Sequence, residues 1–312
     1  MKSWKPTVLL TLCLCLSACG TPAEEPVTDD PAPGGTPVQT LDEAPKGGMF
    51  SLDPDEEATV TTYRIVDGAE DGNLLLAKLC RCVGADVCRL SVDGVPVTLD
   101  GETADASVLE DGMTVEVSFN GQALETFPAQ LGQVYSIAAW SRGQEKNPMG
   151  TTYDLCGLYL QVLDDLWQKD SGLNEGIGIA GLDLSGAPGD LTESEKSAIA
   201  WRFGEMHGVE VVTGTFEELE AQGYFTATAI STPAPEEGGD YGHMWVAWED
   251  GCLFSITVNE DHKDEIYSLP VLFFSAEKWR TPLGAYCFYD CSALWAEGGT
   301  WTGYNIGGEM IF

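Results

Sequence analysis

The sequence predicts two folded units in tandem. Residues 49–143 read as a small, closed, all-β barrel or sandwich, and residues 151–312 as an α+β domain with its helices packed on one face of an antiparallel sheet. Three observations carry this. Short runs with period-two alternation, separated by Asp-Gly and Asn-Gly, fill the first part. An amphipathic helix and two capped helices open the second part, and strands close it. Between them lies SRGQEKNPMG (141–150), polar and rich in breakers, which places a linker at 144–150.

The chain begins with Lys2 and Lys5, an apolar run from Val8 to Leu16, and then small residues. That is the layout of a secretory signal, here residues 1–18, and the run is too short to span a bilayer, which takes about twenty apolar residues. Leu16-Ser17-Ala18-Cys19 resembles the lipobox of bacterial lipoproteins. The resemblance implies a diacylglycerol thioether on Cys19 and cleavage just before it, since two acyl chains hold a protein on a membrane where one does not. Cleavage to an ordinary secreted protein is the rival reading, and a structural cysteine a third. Residues 19–48 are rich in Pro, Gly, Thr and acid with few large apolar groups, so they are expected to form a disordered tether reaching roughly 30 Å.

In the first unit, CRLSVD (88–93), VPVTLD (95–100) and MTVEVSF (113–119) alternate as half-buried strands do, and only DASVLED (105–111) suggests a short helix or turn. In the second, Leu155, Leu158, Tyr159, Val162, Leu163 and Leu166 fall on one helical face. IGIAGLDLS (177–185) reads as a strand. Thr192 with Glu195, and Thr215 with Glu218, form capping boxes, and Gly208 supplies a helix stop. From HMWVAW (243–248) to the end the pattern is β.

NLLLAKL, VPVTLDGETADASVLEDGMTVEVSFNG and ETFPAQLGQVYSI are similar to the small OB-like modules of uncharacterised two-domain lipoproteins of Gram-positive anaerobic bacteria. FFSAEKWRTPLGAYCFYDCSALWAEGGTW resembles the C-terminal sequence of the same proteins. The resemblance implies an OB-like first domain and an envelope location. It implies no activity, since the relatives have none assigned. A cystatin-like or NTF2-like shape for the second domain is an analogy of fold alone.

Charge narrows the partners. Fifty acids against 15 bases give −35, and loss of Lys2 and Lys5 with the signal takes the mature form to near −37. Nucleic acid is excluded as a partner, because its binding rests on cations meeting phosphates. A folded surface lying flat on anionic lipid is disfavoured likewise. DLSGAPGD (183–190) and DHKDE (261–265) lack the ligand pattern of a Ca²⁺ loop.

Besides Cys19, Cys80, Cys82, Cys88, Cys156, Cys252, Cys287 and Cys291 lie outside the signal. The expectation is mostly reduced, buried thiols. Cys287 and Cys291 sit too far apart along one strand to pair, whereas Cys82 and Cys88 can meet across a tight hairpin. Cys80, Cys82 and Cys88 offer three metal ligands where structural zinc takes four, so no metal and no cofactor is expected.

For chemistry the sequence offers little. Of three histidines, His207 suits a helix C-terminus and His262 an acidic loop, while His243 stands beside the strand MWVAW. Cys252 and His243, facing each other across a hairpin, would make a nucleophile and its base, although a cysteine alternating with Phe254, Ile256 and Val258 reads as core. Trp245, Trp248, Trp279, Trp295 and Trp301 are either core aromatics or, with Trp245, Trp248, Trp279 and Trp301 on one surface, a ligand platform. No catalytic residue is assigned. The expected protein is lipid-anchored at the extracytoplasmic face of a bacterial membrane, binding a small molecule, glycan or protein, or acting as a scaffold. The alternative is an envelope-attached hydrolase using an acid pair or the Cys252–His243 pair.

Overall fold

The structure is a computed structural model, and it describes residues 58–81, 84–141, 154–231, 242–259, 261, 271–295 and 301–312. The signal, the tether and the linker at 144–150 lie outside these residues.

The first part builds one sheet from β1 (Thr59–Asp67), β2 (Asn73–Lys78), β3 (Val87–Ser91), β4 (Val97–Leu99), β5 (Glu102–Ala104), β6 (Thr114–Phe119), β7 (Ala123–Leu124), β8 (Ala129–Leu131) and β9 (Val134–Ala139). Local signals behave as expected. Asp100 and Gly101 both take positive φ, 53° and 90°, and make the two-residue turn between β4 and β5. Ala106–Val108 forms a single 3₁₀ turn capped by the Asp105 carboxylate.

The closed barrel expected here does not form. The strands run β5-β4-β9-β6-β1-β2-β3-β8-β7 in a nine-stranded open sheet, and β5 and β7 at its two ends do not pair. The sheet is mixed, because β3 pairs with β8 and β4 with β9 in parallel. Alternation and hairpin turns specify which face a residue takes, and leave the partner of each strand open.

The second part contains α1 (Leu155–Gln168), β10 (Ile179–Asp183), α2 (Glu193–His207), β11 (Glu210–Thr213), α3 (Phe216–Ala221), β12 (Thr226–Ser231), β13 (Gly242–Ala247), β14 (Gly251–Val258), β15 (Val271–Thr281), β16 (Gly284–Trp295), β17 (Trp301–Asn305) and β18 (Gly308–Ile311). The antiparallel sheet with helices on one face is also corrected. Its seven strands run β11-β10-β14-β15-β16-β17, with β18 also on β16, and β10 pairs in parallel with both β11 and β14. Parallel neighbours need long crossovers, and two exist: α2 between β10 and β11, then α3 and the separate β12–β13 hairpin between β11 and β14. Helices therefore cover both faces. Ala180 and Leu182 of β10 point into the main core under α1 and α2. Gly181 between them faces the other way, where an added Cβ would come within 2.7 Å of Trp248 and 3.0 Å of Leu219 on α3.

The two sheets share a core inside one compact unit, Gly47–Phe312. β2 reads NLLLAK with four consecutive buried residues, because both of its faces are covered. Leu74 and Leu76 enter the first sheet's own core, while Leu75 and Ala77 join Ile199, Phe203 and the second sheet. Helix α2 lies between the sheets. A buried ion pair pins it there: Arg64 Nε on β1 donates to Glu195 Oε1 on α2 at 3.3 Å, with the two side chains 1% and 2% exposed. Arg64 Nη1 also donates to the Gly112 carbonyl at 2.9 Å. Glu195 serves twice, since its Oε2 accepts from the Thr192 backbone N–H at 2.8 Å to complete the capping box of α2.

Candidate functional site

β10 ends at Asp183 and β11 at Thr213, and the chain leaves each of these parallel strands for a helix. Open sheets with parallel strands place crevices outside those carboxyl ends. Here the crevice has a volume of about 310 Å³ and is lined by Asp183 at the end of β10 and Ser185 after it, Glu193, Lys196 and Ser197 on α2, Thr213 at the end of β11, and Thr215 and Glu218 at the start of α3.

Each charged group in it is held locally. Asp183 Oδ1 accepts from the Ser185 backbone N–H at 2.9 Å and from its hydroxyl at 2.6 Å. Lys196 Nζ lies 2.8 Å from Glu193 Oε1. Glu218 Oε2 accepts from the Thr215 N–H at 2.9 Å, and Thr215 Oγ1 accepts from the Glu218 N–H at 3.2 Å. Helix N-termini attract anions through free N–H groups. At α2 and α3 the capping boxes already occupy some of these groups, and three carboxylates face one ammonium. The crevice therefore suits a neutral hydroxylated molecule or a cation better than a phosphate.

The lipobox residues Leu16, Ser17, Ala18 and Cys19 lie outside the described residues, as do Cys82 and His262. The tryptophans divide between two cores. Trp248, 2% exposed, and Trp279 meet on the α3 face, where Phe225 lies 5.2 Å from one and 5.3 Å from the other. Trp295 and Trp301 pack into the main core on the opposite side of the sheet. Trp245 is half-buried on β13, opposite Thr228. The set Trp245, Trp248, Trp279 and Trp301 thus does not share one surface.

Cys252 and His243 do not face each other across a hairpin. β13, which carries His243, pairs with β12, whereas β14 pairs with β10 and β15. Cys252 is 0% exposed, and burial pushes its thiol up to about 12, far from the thiolate a nucleophile needs. Cys88, Cys156, Cys287 and Cys291 are likewise free thiols, while Cys80 is disulfide-bonded. The proposed meeting of Cys82 with Cys88 is not made, since Cys88 is reduced. His207 ends α2 as expected, stacked 4.2 Å from the Trp167 ring, and burial lowers its pKa. Among the described residues no group of three metal-ligating side chains converges, and no helix is long and apolar enough to cross a membrane.

Sequence reasoning missed two features. One is β11, and with it the crevice. VEVV directly after the Gly208 stop carried the signal, a strand–capped helix–strand unit. The other is Lys278, fully buried on β15. Its Nζ donates to the Lys169 carbonyl, the Asp170 carbonyl at 3.2 Å and Asn174 Oδ1 at 3.0 Å, beyond the C-terminus of α1. Burial pushes its pKa down to about 8.

Comparison of the chain with protein-family models, with curated proteins and with solved structures gives no match.

Proposed function

We propose that this chain is a lipid-anchored protein on the outer face of a bacterial membrane, where it displays a ligand-binding body. The observation that carries the reading is Leu16-Ser17-Ala18-Cys19 closing the apolar run from Val8. A thioether at Cys19 with two acyl chains gives lasting attachment, and the acidic tether keeps a body of the same sign off the anionic headgroups. The binding half is supported by the crevice at the ends of β10 and β11, whose polar lining fits a small hydroxylated or cationic molecule.

The test is acylation. Cells grown with labelled palmitate should label the wild-type chain and leave Cys19→Ala unlabelled, and the variant should move from the membrane fraction to the soluble one. A wild-type chain that carries no label, or a Cys19→Ala variant that stays with the membrane, overturns the anchor.

A further inference from the structure

We infer that the open edge of β11 is a docking groove for an extended, basic peptide segment. The surface is separate from the crevice interior, although Ser197 and Thr213 border both. The inference goes beyond the anchor and does not depend on it.

The backbone comes first. β11 is the terminal strand of its sheet. Its ladder to β10 uses alternate residues, with the Glu210 N–H donating to the Gly178 carbonyl at 3.0 Å and the Gly214 N–H to the Leu182 carbonyl at 3.2 Å. In a strand the intervening residues point their N–H and C=O the other way, so Val211 and Thr213 present theirs along the free edge. Among the described residues no strand pairs with that edge. An edge of this kind is the template for strand addition.

The side chains supply a groove beside the template. A cavity of about 360 Å³ runs along the edge, lined by Trp201 and Gly204 of α2, by Val209 and Val211, and by Phe127 from the loop before β8 of the other sheet. Phe127, 64% exposed, forms the wall of the cavity contributed by the other sheet. Gly204 keeps the floor low, because a Cβ there would lie 3.0 Å from Val211. A strand added to β11 would send every second side chain into this groove.

Charge selects the occupant. The charged residues lining the groove are Glu205 and Glu210. Arg89 lies nearby, 5.3 Å over the Trp201 ring. A second copy brings the same large negative net charge, and the chain's own tether brings Glu24, Glu25, Asp29, Asp30, Asp42 and Glu43 against Lys46. Both are repelled. A segment with aliphatic residues at alternate positions and Lys or Arg between them satisfies the edge, the groove and the two glutamates together.

The probe is a short fluorescein-labelled peptide of alternating lysine and valine, titrated with the mature protein and followed by anisotropy. Hydrogen exchange of the Val211 and Thr213 amides is read in parallel. Saturable binding is expected, with slowed exchange at both amides. Phe127→Ala, a change at an exposed side chain, should weaken it about tenfold, and Glu205→Lys with Glu210→Lys at least as much. The same peptide N-methylated at alternate residues keeps its charge and loses the strand hydrogen bonds. If it binds equally well, the attraction is diffuse and the proposal falls. It falls too if the two amides stay unprotected, or if sedimentation shows a self-dimer that Phe127→Ala dissolves, since a second copy would then be the occupant.

Discussion

Removing the charge from Glu195 should uncouple the two sheets. The pair it makes with Arg64 is buried, 3.3 Å long and formed between positions 131 apart in sequence. At that distance two unit charges attract by about 5 kcal/mol at an effective dielectric near 20, and most of this only offsets their desolvation. Breaking one partner is what costs. Glu195→Gln keeps the side-chain oxygen that caps Thr192 and leaves the guanidinium buried against a neutral amide, at a cost of about 3–5 kcal/mol. Arg64→Met should cost somewhat less, about 2–3 kcal/mol, because the Thr192 N–H and hydroxyl still bond the stranded carboxylate. With both charges gone, Arg64→Met/Glu195→Gln should return to within about 1.5 kcal/mol of wild type. Urea unfolding of the protein, followed by tryptophan fluorescence and far-ultraviolet circular dichroism together, gives the four free energies. A coupling energy under about 0.5 kcal/mol, or a Glu195→Gln loss under about 1 kcal/mol, would refute the view that this pair pins α2 between the sheets.

Two further outcomes follow from burial. Stability should fall steeply above pH 9: the thiols of Cys88, Cys252 and Cys291 are raised to about 12 in the native protein, so the unfolded chain, ionising near 8.5, sheds those protons first. Lys278, held down to about 8, works in the opposite direction between pH 8 and about 10.4, but one lysine opposes three thiols, and the net loss these four groups give from pH 9 to 10 is about 2.5 kcal/mol. Urea midpoints at the two pH values check this, and a slope unchanged in a Cys88→Ala/Cys252→Ala variant would count against it. Gly181→Val should cost about 2–3 kcal/mol, since its Cβ meets the Trp248 ring at 2.7 Å, whereas at Gly178→Ala the nearest atom is Asp250 Oδ1 at 3.4 Å and the loss should stay under about 1 kcal/mol by thermal unfolding.

What was legible in the sequence was local. The capping boxes at Thr192 and Thr215, the left-handed Gly208 and the buried face of α1 each depend on residues within a turn or two, and each is present. The Asp100-Gly101 turn is likewise where two residues of positive φ were called for. The failures are all of pairing. Nothing in an alternating run says that β3 will lie parallel to β8, or that β13 will leave β14 for β12. NLLLAKL did carry a warning, because a run without alternation is buried on both sides, which a free-standing barrel strand seldom is. The crevice went unread for the same reason: Asp183 and Glu218 are ordinary acids until β10 and β11 set them at one end of the sheet.

The position of α2 also fixes an order of events during synthesis. A ribosome that has released residues up to 143 has made all nine strands of the first sheet and none of the helix that shields Leu75 and Ala77. Some sixty more residues must emerge before Phe203 can cover them. Until then the nascent half-protein carries an oily underside, and a fragment cut at the linker would be sticky for good.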